Sequence, residues 1–291
     1  MQERRDMFAI LLALGLDKAV LFHQDQVPEH AELAWYLNCI TPVNRLMRMT
    51  TWKSKLVTLR NANSAEEVDD SMLQLGLFAY PVLQAADILL YKATHVPVGH
   101  DQTQHLELAR DLAQAFNRQY PLRVDGKKRK LFTTPEVMLT AHPRIQSLRQ
   151  PTQKMSKSAP HASSRILLTD SAAEIESKVK SAVTDSINGA SYDPDERPGV
   201  SGLLEIFSGY TDEDVHTIAE RYEGEKGIRE LKTDLAHVID AALKPIRDKF
   251  LEIRSDEGYI SAKEQEGAAR ARQAAQLTIK QVRAAVGIGH L

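Results

Sequence analysis

Residues 80–117 read YPVLQAADILLYKATHVPVGHDQTQHLELARDLAQAFN, and three kinds of pattern follow one another there. From Pro81 through Tyr91 apolar residues recur at helical spacing, with Pro81 suited to an opening turn. Val96-Pro97-Val98-Gly99 is a short strand and turn, and from Asp101 to about Asn117 the helical period returns. Helix, strand and helix in succession predict an α/β sheet layered by helices. The flanking sequence extends the alternation. Ala19-Val20-Leu21-Phe22 suits a buried parallel strand. Pro28 opens a helix carrying Leu33, Trp35 and Leu37, and Pro42 starts another through Leu46 and Met49. Asn61 to Ser64 reads as loop and Glu66 to Phe78 as helix. Ahead of these, Gln2 to Leu14 is an amphipathic helix with Phe8, Leu11 and Leu12 on one face, closed by Gly15. Arg123 to Lys130 (RVDGKKRK) sets an Asp-Gly turn in a basic cluster, favouring a hairpin tip over a targeting signal. From Ser171 onward the pattern is almost purely helical, with a loop near 188–199. The expected division is an α/β part, residues 1–170, followed by an all-α part, residues 171–291.

Composition excludes several classes. The chain has 291 residues, enough for one large or two ordinary domains. A single cysteine, Cys39, rules out an internal disulfide framework and suits a reducing compartment or an organelle matrix. No apolar run approaches the ~20 residues of a membrane span. The net charge of −2 does not mark a nucleic-acid binder, but two stretches lack acids. One lies between Glu32 and Glu66 and carries Arg45, Arg48, Lys53, Lys55 and Arg60; the other follows Glu266, with Arg270, Arg272, Lys280 and Arg283. Each is either a solvated basic face or a phosphate-contact surface. His95, His100 and His105 are five apart, which does not stack them on one helical face, and no H-E-x-x-H occurs, so no metal site is expected.

Three segments carry chemistry. Lys154-Met155-Ser156-Lys157-Ser158 lies between Pro151 and Pro160, which favour a loop that moves as a unit. Two ammonium groups three residues apart suit a triphosphate whose charge shifts during reaction. On a helix, Tyr80, Gln84, Asp87 and Tyr91 form one polar stripe beside apolar Leu83, Ala86 and Leu90. A carboxylate among apolar neighbours needs a donor, such as an indole N–H or an amino-acid ammonium, unless the stripe is simply exposed. Gly99, His100, Asp101 and Gln102 follow a strand at a helix N-terminus, where ligands bind in open α/β sheets. The same residues also read as a capping box, with Asp101 as N-cap and Gln104 three residues later.

These segments, with VPEHAELAWYLNCI (27–40), QPTQKMSKS (150–158), KVKSAVTDS (178–186) and RPGVSGLLEIFSG (197–209), resemble the tryptophanyl-tRNA synthetases, a class I aminoacyl-tRNA synthetase family. The likeness runs along nearly the whole chain. Gln84 and ILLYKATHVPVG look more like the mitochondrial branch, implying the mitochondrial matrix, with a bacterial cytoplasm as the alternative. The resemblance implies a Rossmann-like nucleotide-binding parallel sheet with dimer-interface helices in residues 1–170, and a helical anticodon-binding domain in 171–291. It implies ATP and Mg²⁺, L-tryptophan, tRNA(Trp) and a homodimer whose interface lies around Trp35–Trp52. Asp87 would accept the indole N–H, Tyr80 and Gln102 would hold the α-ammonium, and Val96 and Val98 would line the indole pocket, with Gln84 beside them. Gly99, His100 and Asp101 would approach the ribose and Ile145 the adenine. In the signature loop Lys154 and Lys157 would grip the phosphates, with Met155, Ser156 and Ser158 completing the nucleotide site.

The family's N-terminal signature, G-x-x-P-S-G-x-x-H-x-G-N, has no counterpart; Gly287-Ile288-Gly289-His290 lacks the strand before it and the helix after it. The sequence therefore reads as a sheet incomplete at the N-terminus, in a shortened chain inactive in adenylation as it stands, with a strand edge open to aggregation. His100 stands where an acid is usual, and Ala159 where aspartate commonly follows the loop. Two rival readings remain: a noncatalytic tRNA-binding fragment, and a tyrosyl-tRNA synthetase, against which Val96-Pro97-Val98-Gly99 argues.

Overall fold

The computed structural model describes residues 2–49, 52–53, 73–139, 145–157, 159–225 and 227–289. In chain order the helices are α1 (Gln2–Ala13), α2 (Glu29–Asn38), α3 (Val43–Met47), α4 (Leu75–Leu89) and α5 (Thr103–Gln119). They continue as α6 (Ala172–Lys180), α7 (Pro198–Thr211), α8 (Val215–Glu220), α9 (Gly227–Ser255) and α10 (Glu257–Val286). The strands are β1 (His95–Val98), β2 (Leu122–Val124), β3 (Lys127–Arg129) and β4 (Glu136–Leu139). The chain forms two compact units, one from Met1–Ala19 and Ala141–Ala262, the other from Val20–Thr140 and Lys263–Leu291. The cuts fall at three places, because α1 packs on α9 while the end of the chain joins the other unit.

In the unit built on residues 20–140 and 263–291, α4 is the central helix. Its sequence, LGLFAYPVLQAADIL, is apolar nearly all round, so it is covered by α2 on one side and α5 on another. Val82, Ala85 and Leu89 are fully buried, as are Leu33 and Leu37 of α2. Each large aliphatic buried this way contributes about 1.5–3 kcal/mol. The inner face of α5 reads His105, Leu108, Ala109, Leu112, Ala113 and Phe116, all buried. Phe116 stacks edge-on against Phe132. Asn117 accepts from the Leu131 and Phe132 amides and donates to the Phe132 carbonyl, which holds the returning chain against α5.

β1 and β4 pair in parallel, His95 opposite Glu136 and Val98 opposite Leu139, with α5 and the β2–β3 hairpin in the crossover. Parallel strands need such a long connection. The hairpin is as expected from RVDGKKRK: Asp125 (φ 51°) and Gly126 (φ 72°) both take positive φ, the requirement of a two-residue I′ turn.

Several expectations change. Residues 19–22 belong to no strand or helix among the described residues, and Val20 is 39% exposed. The Leu21 carbonyl lies instead against α10: a Cβ on Gly267 would sit 1.6 Å from that oxygen, so only glycine admits the approach. The helix expected to open at Pro81 begins at Leu75, with Pro81 in its second turn, and ends at Leu89. Residues 66–72 of the expected earlier helix, and the 61–64 loop, lie outside the described residues. Trp35 is on the outer face of α2, 67% exposed.

The basic tail of α10 is largely engaged within this unit. Arg283 is bidentate on Glu32 at 2.7 Å, and holds that carboxyl below its ordinary range. Arg272 donates to the Gln26 carbonyl at 2.8 Å, and Glu264 meets His23 at 2.8 Å. These bonds hold the last helix on the 21–36 segment.

In the other unit, α6 and α7 pack on α9 and α8 packs on α7, burying Ile175, Val179, Leu203, Leu204, Ile218, Leu231 and Leu235. Arg197, 5% exposed, ties the 185–197 loop together. It meets both oxygens of Asp185 at 2.8–2.9 Å and donates to Ser191 Oγ and to the Ile187 and Gly189 carbonyls.

Candidate functional site

Within the unit of residues 20–140 and 263–291, α4 presents the expected polar stripe. Tyr80, Gln84 and Asp87 are half-buried on it, and Tyr91 follows in the turn after the helix. Two hydrogen-bonded groups arise from this stripe.

The first runs through His105, which is 1% exposed on the inner face of α5. Its Nδ1 lies 2.6 Å from Gln84 Oε1 and its Nε2 3.4 Å from the Tyr80 hydroxyl. The amide oxygen requires the proton on Nδ1, so Nε2 accepts from Tyr80. Gln84 Nε2 then reaches Gln102 Oε1 at 3.4 Å, and Gln102 Nε2 donates to Asp101 at 2.7 Å. Tyr80, Gln84, Gln102 and Asp101 are thus brought together at the carboxyl end of β1, where α/β sheets bind ligands. Val96 and Val98 lie half-buried on the same strand. Gly99 is extended, and His100, Asp101 and Gln102 form a short 3-10 turn into α5. The capping box expected of Asp101 and Gln104 does not form. The N-cap position falls on Gln102, whose side chain makes no capping bond, because the 3-10 turn absorbs Asp101.

The second group surrounds Asp87. Gln24 Nε2 donates to both carboxylate oxygens at 2.8 Å, and His30 Nδ1 meets Oδ1 at 2.6 Å. His30 Nε2 lies 2.8 Å from the Tyr91 hydroxyl. The carboxylate expected to need an outside donor therefore already has two within the chain. Burial, then the negative charges of Asp87 and Glu29, push the Tyr91 phenol well above its ordinary range. Its hydroxyl keeps its proton.

Sequence reading missed His30, His105 and Gln24 as site residues. The two histidines carried a signal: His30 shares a helical face with Leu33, Ala34 and Leu37, and His105 with Leu108, Ala109 and Leu112. A polar ring on an apolar face must find a partner when it is buried. Gln24, in a three-residue turn, carried none.

The lysine segment belongs to the other unit. Met155 N donates to the Ile145 carbonyl and Ser147 N to the Gln153 carbonyl, both at 2.8 Å, with Gln146 bridging Lys154. Ile145 and Lys154-Met155 are therefore the two legs of one tight hairpin. Its turn is held by Ser147 Oγ, and Leu148 bonds to Ser164 and Val183. Met155 packs into that unit's core, which anchors the segment from below. Lys154, Ser156 and Lys157 face outward, and Ile145 is 55% exposed. Ser158 lies outside the described residues. A rigid base under exposed ammonium groups is suited to meeting phosphate oxygens.

Among the described residues, no group of three His, Cys, Asp or Glu could hold a metal, and no helix is long and apolar enough to cross a membrane.

Residues 1–244 match the family model of class I tRNA synthetases (W and Y). The chain is 43% identical to the tryptophan–tRNA ligase of Rickettsia conorii, over 97% of this chain and 81% of that protein. It is 41% identical to the mitochondrial tryptophan–tRNA ligase of Schizosaccharomyces pombe, over 93% of this chain and 74% of that protein. The tryptophanyl-tRNA synthetase of Campylobacter jejuni, solved with ADP and tryptophan, superposes with a TM-score of 0.77 at 30% identity. It covers 98% of this chain and 83% of its own. With the parallel strand pair, the helical remainder and the lysine hairpin in place, these likenesses show that the chain belongs to the tryptophanyl-tRNA synthetases of class I.

Proposed function

We propose that the chain carries the amino-acid and nucleotide sites of a tryptophan–tRNA ligase, the enzyme that activates L-tryptophan with ATP and passes it to tRNA(Trp), with Asp87 as the discriminating group. The observation that carries this reading is the half-exposed Asp87 carboxylate on the same helix as the Tyr80–His105–Gln84–Gln102 chain. An indole N–H satisfies Asp87. With Oδ1 held by His30, a side chain that lacks the donor and displaces the Gln24 amide leaves the other carboxylate oxygen desolvated without a partner, a penalty large enough to exclude it. Tyr80 and Gln102 hold the α-ammonium, Gln84 positions Gln102, and Val96 and Val98 supply apolar wall. Gly99, His100 and Asp101 approach the ribose and Ile145 the adenine.

Adenylation is an in-line attack of the amino-acid carboxylate on the α-phosphorus, with pyrophosphate leaving. The protein's part is positioning and charge stabilisation. Lys154 and Lys157 neutralise the phosphates, and Met155, Ser156 and Ser158 complete the loop. Mg²⁺ accompanies the nucleotide's phosphates, as it commonly does in such sites; no residue of the chain is assigned to it. Residues 1–170 carry the nucleotide and amino-acid chemistry, and the helices of 171–291 the anticodon contact.

Calorimetric titration tests the reading. Tryptophan is expected to bind at least tenfold more tightly than tyrosine. Lys154→Ala/Lys157→Ala is expected to weaken ATP by about tenfold or more, at 1.5–3 kcal/mol for a hydrogen bond to a charged group, with tryptophan affinity unchanged. Equal affinity for the two amino acids, or an unaltered nucleotide affinity, would remove the assignment.

The functional unit is a homodimer, supported by the exposed apolar side chains of Trp35, Val43 and Met47 on α2 and α3. Sedimentation should give twice the 32.6 kDa chain mass, and Trp35→Glu the single-chain mass. A single-chain mass for the unaltered protein would exclude this interface. The work is done in the mitochondrial matrix, on the strength of Gln84 and the ILLYKATHVPVG segment. Cell fractionation that recovers the protein from a bacterial cytoplasm would reverse that placement.

A further inference from the structure

We propose that His30 is a positioning residue for amino-acid selection, holding Oδ1 of Asp87 so that Oδ2 is left for the substrate's ring N–H. The inference rests on the reading of Asp87 as the discriminating carboxylate.

The geometry separates the two donors that Asp87 has in this structure. The His30 side chain is 5% exposed, against 34% for Asp87. His30 is held at both ends, by Oδ1 at 2.6 Å and by the Tyr91 hydroxyl at 2.8 Å. The Phe22 and Tyr91 rings flank it at 5.9 and 5.4 Å. Gln24 is exposed, in the turn Gln24–Gln26, and its amide straddles both oxygens. An exposed amide can swing aside at little cost, whereas a buried ring bonded on both nitrogens cannot. The incoming N–H therefore displaces Gln24 and leaves His30 in place.

The proton inventory agrees. An ionised carboxylate only accepts, so Nδ1 carries the hydrogen. The Tyr91 hydroxyl at Nε2 holds the opposite side of the ring, so the imidazole cannot turn without breaking a bond at each nitrogen. Tyr91 orients His30, His30 orients Asp87, and Asp87 reads the substrate. Without the ring, the carboxylate loses its rotamer and turns toward water, so its preference for an N–H weakens. Tyr80 and Gln102 lie on the separate His105 chain and keep their hold on the ammonium.

The probes are tryptophan and 3-(1-benzothiophen-3-yl)alanine, which replaces the ring N–H by sulfur, titrated calorimetrically into the full chain. His30→Ala is expected to reduce the tryptophan-to-isostere affinity ratio by about tenfold, almost entirely through tryptophan, the size expected when one charge-assisted hydrogen bond is lost. Equal weakening of both ligands would overturn the proposal, since that marks a packing role only. A second pair of variants covers loss of folding in the alanine form. His30→Asn sets an amide near the Nδ1 position and should keep the ratio, whereas His30→Gln reaches the Nε2 position and should lose it. The same ratio in both overturns the proposal. An unaltered protein without any preference for tryptophan would instead overturn the reading of Asp87 beneath it.

Discussion

Replacing Asp87 by asparagine is expected to weaken tryptophan binding on the order of 10²–10³-fold, measured by calorimetry. A charge-assisted hydrogen bond to the ring N–H contributes about 1.5–3 kcal/mol. The substitution loses that bond and adds a conflict. His30 Nδ1 lies 2.6 Å from Oδ1, so the single amide oxygen of the replacement side chain turns toward the ring. Its NH₂ then faces the substrate, and two donors oppose each other. An unpaired buried donor costs about a further 1–3 kcal/mol. Binding of the sulfur isostere should change far less, because it offers no hydrogen there. A parallel loss for both ligands would show that Asp87 shapes the pocket without reading the nitrogen. On the proposed reading the two halves of the polar stripe separate here, with Gln84, on the His105 chain, as a positioning group and Asp87 as the group that meets the ring.

The other large effect is on stability. Arg197→Ala is expected to destabilise the unit containing residues 141–262 by about 3–5 kcal/mol, the usual cost of removing one partner of a buried ion pair. It would be read as a lower urea midpoint at unchanged slope. Arg197 is bonded to Asp185, Ser191, Ile187 and Gly189, so alanine strands a carboxylate, a hydroxyl and two carbonyls together. Lysine at this position keeps the charge but loses the planar fork, and recovers only part of the loss. The Arg197 guanidinium, ahead of the penalty of burial, holds the Asp185 carboxyl below its ordinary range. A depressed carboxyl stabilises the fold fully above its unfolded pKa, and this contribution fades as pH falls through the lowered value. The difference in stability between the unaltered protein and the variant should therefore shrink in acid. A difference that stays constant down to the acid limit would argue against the Arg197–Asp185 bond as its source.

Short-range chemistry was legible in the residues. The Asp-Gly turn at 125–126 needs two positive φ angles, which that pair accepts at low cost, so the hairpin followed from local preference. Gly15 closes α1 at φ 82° for a similar reason. The strand at 95–98 and the helix after it were also foreseen, because period and turn chemistry operate over a few residues. Residues 19–22 misled because a Val-Leu-Phe run suits a buried strand and a non-strand segment under a helix equally. What distinguished them was Gly267, nearly 250 residues away in the chain.

The site divides along the same line. Tyr80, Gln84 and Asp87 are neighbours in sequence, as are Lys154 and Lys157, and helical spacing or local composition was enough to single them out. The partners His30 and Gln24 are not. The register of α2 and the turn before it against α4 puts them beside Asp87, and α5 packing on α4 puts His105 beside Tyr80 and Gln84. By itself, the sequence determined the elements that rest on local period and turn chemistry and singled out candidate side chains, since both depend on interactions a few residues apart. Only the tertiary structure decided which hydrogen bonds those side chains make. A buried polar group takes whatever partner long-range packing brings within about 3 Å, and that choice is written in no local stretch of the chain.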